Sequence, residues 1–366
     1  VTGAPIRLQA YVLGRTLLGV LIALAVVGSV IALIDFVELS RTLGGRQDMS
    51  FLELLGLILL KSPAVILQLA PFVFLFGVLG AFVALNRRSE LVAMRAAGVS
   101  AWRFVLPTAG AAFLIGVVAV AILNPLAAAM NARFEARRAA IILGGQAGRD
   151  IWLRQGDDRS QIVIHGRSHD TVGDVVRLKG VSLFVQTLNA NGDRTVSRRI
   201  EAAQARLEPG FWRLSDVREA SPGAGPEHYE QLLIPSMLDH RTAMESFAAP
   251  GAVAFWRLPA TIHAAELAGY SSVGYRLRFQ QLLATPLLFS AMSILAAAFS
   301  LRLMRLGGLA GLASVGVGLG FLVFFLNQFC GALGSSEVMP APIAAWAPPI
   351  LALLAGVTLL CYTEDG

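Results

Sequence analysis

Lysine is almost missing from this chain: Lys61 and Lys179 are the only two in 366 residues, and neither follows a glycine. A GxxxxGK[ST] phosphate loop is therefore excluded, so ATP-driven work would have to use a nucleotide site in another chain. Cysteine is equally scarce. Cys330 and Cys361 both lie in or beside apolar segments and support neither a disulfide framework nor a thiolate metal site. The five histidines, His165, His169, His228, His240 and His263, are scattered. His165 and His169 are four apart, but on a predicted strand and its turn, where that spacing does not present one helical face; with no HExxH, no metal site is expected. No GxSxG occurs and no serine has an evident histidine partner. The chain shows no catalytic constellation and reads as a non-enzyme.

Apolar residues, by contrast, are abundant. They make up 55% of the chain, and the mean hydropathy is +0.65, which is a membrane composition. The net charge of +6 and pI near 9.9 do not call for nucleic acid, because basic residues beside apolar spans are what orientation in a bilayer demands. Crossing the hydrocarbon core takes about 20 apolar residues as a helix. Six stretches qualify: 12–37, 62–85, 104–129, 282–301, 306–326 and 343–362. The first apolar run, 12–39, is longer than the core of a signal peptide and lacks a clear cleavage site, so a retained span is expected. Arg87, Arg88, Arg95 and Arg103 between spans two and three, and Arg302 with Arg305 between spans four and five, place those loops and both termini on the cytoplasmic side. The acidic pair Glu364-Asp365 has little weight in that rule.

A polar insertion separates spans three and four. Runs such as "SQIVIHGR", "VVRLKGVSLFVQTL" and "FWRLSDVREA" alternate in part and are divided by turn signals at 156–158, 189–193, 208–210 and 221–226. They predict a β-sandwich or jelly roll of roughly 100 residues, with Ile162, Ile164, Val181, Leu183 and Val185 as interior positions. Residues 258–269 read as a short amphipathic helix. The expected organisation is 1–132 for the first transmembrane half, 133–251 for the β domain and 252–366 for the second half.

The stretch "RRSELVAMRAAGVSAW", 87–102, is too ordered for a loop and too short to span. Ser89 is placed to cap a helix, Glu90 to meet its dipole and Gly98 to end it. Met94, Ala97 and Val99 offer a small apolar face, and Arg87, Arg88 and Arg95 suit polar surroundings. It fits either a helix lying on an anionic leaflet or one docking in a groove of a partner. Arg133, Arg137 and Arg138 end the third span; arginine pairs bidentately with phosphate, yet long basic side chains also snorkel at helix ends. In "GLAGLASVGVGLG", Gly308, Gly311, Gly316 and Gly320 permit close helix approach, either static or as a face that opens and recloses.

Together "IDFVELSR", "RRSELVAMRAAGVSAWR" and "LPATIHAAELAGYSSVGYRLRFQQLLATPL" resemble the permeases of the lipopolysaccharide-export ABC transporter, which exist as an F and a G type. The resemblance covers essentially the whole chain, and the segment after span one together with 276–286 looks more like the G type. It implies six membrane helices, three and three, with a periplasmic β-jelly-roll domain between helices three and four, in the inner membrane of a bacterium. It implies that the short helix, with Glu90 at its acidic position and Arg87, Arg88, Met94, Arg95 and Gly98 around it, docks on an ATPase homodimer. This chain itself would bind no cofactor, with ATP and Mg held by the ATPase. Further implied partners are the paralogous F-type permease, jelly-roll bridge proteins of the LptC and LptA kind, and lipopolysaccharide as cargo. Arg133, Arg137 and Arg138 would meet its phosphates. The G type carries a basic residue near the outer end of span one, whereas this chain has Asp35 beside Phe36, with Glu38 a turn later. Asp35 and Glu38 would pair with Arg41 or with arginines of span three, or bind phosphate through a divalent cation. The four glycines would form a lateral gate beside the partner permease. A membrane-anchored enzyme, with His165, His169 and Asp170 as its polar residues, is the rival from another class. A secondary transporter would need ionisable residues at mid-span, which the spans lack.

Overall fold

The computed structural model describes residues 4–43, 50–142, 151–156, 160–172, 175–188, 194–221, 225–236, 250–267, 271–303 and 309–365. The chain divides into two units. The first comprises 1–134, 254–256 and 276–366, and the second 135–253 and 257–275. The return segment 257–275, expected with the second transmembrane half, thus groups with the β domain.

Its helices are α1 (Ala4–Leu43), α2 (Phe51–Arg87), α3 (Glu90–Ala96), α4 (Trp102–Val118), a π-turn (Ala119–Leu123), α5 (Asn124–Ile142), α6 (Leu258–Leu267), α7 (Val273–Leu303), α8 (Leu309–Ser335) and α9 (Ala341–Asp365). Among the described residues six helical spans are long and apolar enough to cross a membrane: Arg7–Thr42, Phe51–Arg87, Trp102–Arg138, Val273–Leu301, Gly318–Ser335 and Ala341–Glu364. Three precede the β domain and three follow it, as expected.

All six helices run past at least one expected limit. α2 starts at Phe51 because Ser50 and Glu53 form a capping box, each satisfying a backbone N–H that the first turn leaves open. The expected fifth span, 306–326, begins in residues outside the described set, and its helix runs on to Ser335; Asn327 and Gln328 do not end it. The third span is one helix interrupted by the π-turn, whose Ala121 carbonyl accepts from Trp256 Nε1 at 2.9 Å. Asn124 Oδ1 accepts from the Phe255 N–H at 2.9 Å, so the π-turn, with its longer hydrogen-bonding step, anchors the 254–256 segment.

α1 and α2 meet most closely at Gly19 and Gly77. A Cβ on Gly19 would lie 2.4 Å from the Gly77 carbonyl oxygen, and one on Gly77 would lie 2.5 Å from Val20 Cα. Only glycine permits that backbone approach. The core beside it joins Phe74, Phe82, Phe104, Phe289 and Leu295 from α2, α4 and α7, all nearly inaccessible.

In the second unit β1 (Ile151–Gly156), β2 (Ser160–Val172), β3 (Val175–Leu188), β4 (Arg194–Glu208), β5 (Phe211–Ala220) and β6 (Glu227–Pro235) form one antiparallel sheet in chain order. An inserted β domain stands where it was expected. The described strands follow one another as hairpins.

A crease crosses this sheet. Pairing of Gly166 with Val181 and of Ser168 with Lys179 sets Arg167 opposite Gly180. The flanking pairs on β4 and β5 likewise set Gly180 opposite Ala203 and Ala203 opposite Asp216. Gly180 and Asp216 have φ of +60° and +53°, which breaks the two-residue alternation of a strand. Buried positions accordingly change parity along this line: Leu178 then Val181 and Leu183, Ala202 then Ala205, Leu214 then Val217. Both sides of the crease therefore feed one core, in which Ile164, Val181, Leu183 and Val185 are buried and Ile162 packs against them.

Candidate functional site

The short helix between spans two and three is the best-defined polar construction in the first unit. Ser89 enters α3 in the left-handed region at φ +59° and makes no side-chain cap, so the expected capping role falls away: its side chain is exposed, and the turn is closed by Ser89 N–H donating to the Asn86 carbonyl at 2.8 Å. At the other end Gly98, at φ +76°, closes the helix as expected. Gly98 N–H donates to the Arg95 carbonyl and Val99 N–H to that of Met94. This is the paired 5→2 and 6→1 pattern of a glycine-terminated helix, with Met94 and Val99 in the apolar positions that accompany it.

That geometry turns the helix face relative to the expected one. Leu91 is 1% exposed, and Met94, Val99 and Trp102 pack against the core. Outward lie Val92, Ala93, Ala96 and Ala97, with Arg87 and Arg88 beside them; Val92 is 59% exposed. Met94 and Val99 are anchors, and the free apolar face is the other one.

Two other helices brace the element. Tyr11 of α1 donates its hydroxyl proton to Glu90 Oε2 at 2.8 Å, and Arg15 Nε donates to the Tyr11 oxygen at 3.2 Å. From α9, the Thr363 carbonyl accepts from Arg95 at 2.9 Å, and the Glu364 carboxylate accepts from the Ala101 N–H at 3.0 Å. Glu364 thus serves the start of α4 as a capping acid borrowed from another helix, a favourable placement for an anion at a helix N-terminus. Hydrogen bonds to charged groups are worth about 1.5–3 kcal/mol each before solvent weakens them, so two spans, α1 and α9, hold the seven-residue helix and the turn after it.

At the far end of α1, Asp35 is 4% exposed and accepts from Lys61 Nζ at 2.7 Å, with Glu38 at 3.5 Å from the same ammonium. Its partner is neither Arg41 nor a span-three arginine. The reason is the early start of α2, which carries Lys61 inside the helix and opposite Asp35. Phe36 rests against Phe51 with ring centroids 5.9 Å apart. Nineteen uncharged residues separate Arg15 from Asp35, about 29 Å of helix, which matches a hydrocarbon core of roughly 30 Å.

Arg133, Arg137 and Arg138 all belong to α5; Arg133 and Arg137 are exposed and Arg138 half-buried. Gly308 lies outside the described residues, and Gly311 is on α8. Gly316 and Gly320 turn toward α2 of this chain: a Cβ on them would meet Leu79 at 2.6 Å and Leu75 at 2.8 Å. These two glycines pack closely against a helix of the same chain, the static one of the two readings the sequence left open. Among the described residues no group of His, Cys, Asp and Glu has the makings of a metal site.

A model of the family described as "Lipopolysaccharide export system permease LptF/LptG" matches residues 10–362. The chain belongs to this family. A search of curated proteins returns no significant match. This LptF/LptG permease is accordingly a transporter component and a multi-pass membrane protein, and α3 with its braces falls within the matched region.

Proposed function

We propose that this chain is the G-type permease of a lipopolysaccharide exporter. It pairs with an F-type permease and with an ATPase dimer that holds ATP and Mg, draws lipopolysaccharide from the outer leaflet of the inner membrane, and hands it to a periplasmic bridge of jelly-roll proteins. The β domain stands in the periplasm in this reading. What supports it most is the construction of α3. A helix with an outward face of Val92, Ala93, Ala96 and Ala97, braced to α1 through Tyr11–Glu90 and to α9 through Arg95 and Glu364, suits transmission of a push from a partner to two spans at once. A loop would absorb such motion; a braced helix passes it on. Arg133, Arg137 and Arg138 are assigned to lipopolysaccharide phosphates, because exposed guanidinium groups pair bidentately with them.

The test is purification of the chain from its native membrane in mild detergent, with identification of co-eluting proteins. An ATPase and a second six-span permease are expected. Recovery of the chain alone across several detergents would overturn the reading, as would wild-type export by a Glu90→Arg variant. Replacing Arg133 and Arg137 with Glu should reduce photocrosslinking to lipopolysaccharide; unchanged crosslinking would make the arginines headgroup anchors.

A further inference from the structure

A cavity of about 530 Å³ runs along the flank of the first unit between α1 and α2. Small residues, Gly19 and Ala23 on α1 and Gly80 and Ala84 on α2, form much of its lining, and among the described residues Arg15 and Arg88 are its only charged ones. Leu18, Ile22 and Val26 on its α1 side are 49%, 57% and 58% exposed, so the groove faces outward into whatever surrounds the helices. From Arg15 to Val27 the α1 side spans twelve residue steps, about 18 Å of helix. One leaflet of hydrocarbon is about 15 Å deep. The groove is therefore a slot one leaflet deep, apolar along its length, with two guanidinium groups at its headgroup end.

We infer that this groove binds one anionic glycerophospholipid of the leaflet on the arginine side, with an acyl chain in the slot and the phosphate on Arg15 and Arg88. Three observations favour this occupant. Among the described residues no acid lines the groove, so the charge a phosphate meets there is positive, and guanidinium groups hold phosphate by paired N–H donors. The volume lies in the roughly 300–1,000 Å³ range of small-molecule sites. A second helix 10 Å across and 18 Å long would displace roughly 1,400 Å³, so the slot would take only a minor part of one. The position has a consequence. Arg15 also donates to Tyr11, which donates to Glu90, so the bound headgroup sits three hydrogen bonds from the acid of α3.

The inference rests on membrane insertion and not on the identity of the cargo, so it stands or falls separately from the export reading. The purified protein, with any chains that co-elute, is placed in nanodiscs of phosphatidylcholine with a minor share of phosphatidylglycerol, and retained lipid is counted by native mass spectrometry. Wild type is expected to retain phosphatidylglycerol selectively. Two variants should each lower that retention by roughly tenfold: Arg15→Gln with Arg88→Gln, which removes the paired donors, and Gly80→Leu, which fills the slot. A Cβ at Gly80 meets nothing within 4 Å, so the new side chain starts from open space. Unchanged retention in either variant, or equal retention of phosphatidylcholine, overturns the assignment. So does displacement of the phosphatidylglycerol by added lipopolysaccharide, or a photocrosslinker at Ala23 that yields an adduct with another protein chain in place of lipid.

Discussion

Replacing Lys61 with Met removes the positive partner of a carboxylate that has almost no access to solvent. The Asp35 side chain is 6% exposed against 24% for Lys61, and Asp35 Oδ2 has no hydrogen-bond partner among the described residues. Breaking a buried pair from one side costs about 3–5 kcal/mol when the remaining charge is fully enclosed. A carboxylate at the centre of a membrane helix costs about 2.5–3.5 kcal/mol on insertion scales. Asp35 stands toward the end of its span and Lys61 is partly wet, so Lys61→Met should cost about 2–3 kcal/mol. The reverse change is milder. In Asp35→Asn the ammonium keeps Glu38 at 3.5 Å and can snorkel to water, for a cost of about 1 kcal/mol. The double variant Lys61→Met with Asp35→Asn should recover most of the larger loss, giving a coupling energy of about 2–3 kcal/mol in a double-mutant cycle. The assay is SDS-titrated unfolding in mixed micelles. A Lys61→Met variant within about 0.5 kcal/mol of wild type, or an Asp35→Asn that is the more damaging of the two, would refute the reasoning.

Three further outcomes follow from the same geometry. Gly77→Val should be far more harmful than Gly80→Ala in thermal unfolding, since the first drives a Cβ to 2.5 Å from the Val20 backbone and the second meets open space; a loss of about 3 kcal/mol or more is expected against almost none, and equal effects would contradict the α1–α2 contact. Gly98→Ala places a Cβ in the left-handed region at φ +76° and should cost about 1 kcal/mol, read as faster hydrogen exchange of α3 amides; unchanged exchange would mean that the turn does not hold the helix. Glu364→Gln leaves the Ala101 N–H with a neutral acceptor, at a cost of about 1 kcal/mol, with increased exchange confined to the start of α4; protection equal to wild type would remove Glu364 from the brace.

The sequence made the spans and the β insertion legible because apolar length and strand alternation are local properties. It was less informative where partners come from afar. The start of α2 was in fact readable: "SFLE" at 50–53 is a serine with a glutamate three residues on, the signature of a capping box, and weighing it would have placed Lys61 inside the helix. Met94 and Val92 are two residues apart in a helix of seven, so which one faces the core depends on where α2 and α4 stand, and apolarity alone points to the larger side chain. Glu364 had no local signal, because it caps a helix 263 residues away. The parity change in the sheet is of the same kind. A single Gly180 reads as a loose strand position, and only its alignment with Arg167, Ala203 and Asp216 makes a crease.

The central claim is that the outward face of α3 is the surface on which the ATPase pushes. The most direct measurement is a photocrosslinking amino acid at Val92 in living cells, compared with one at Leu33 toward the opposite end of α1. The account predicts a covalent adduct with the nucleotide-binding subunit at Val92 and none at Leu33. Absence of that adduct at Val92, or an equal yield from Leu33, would contradict it.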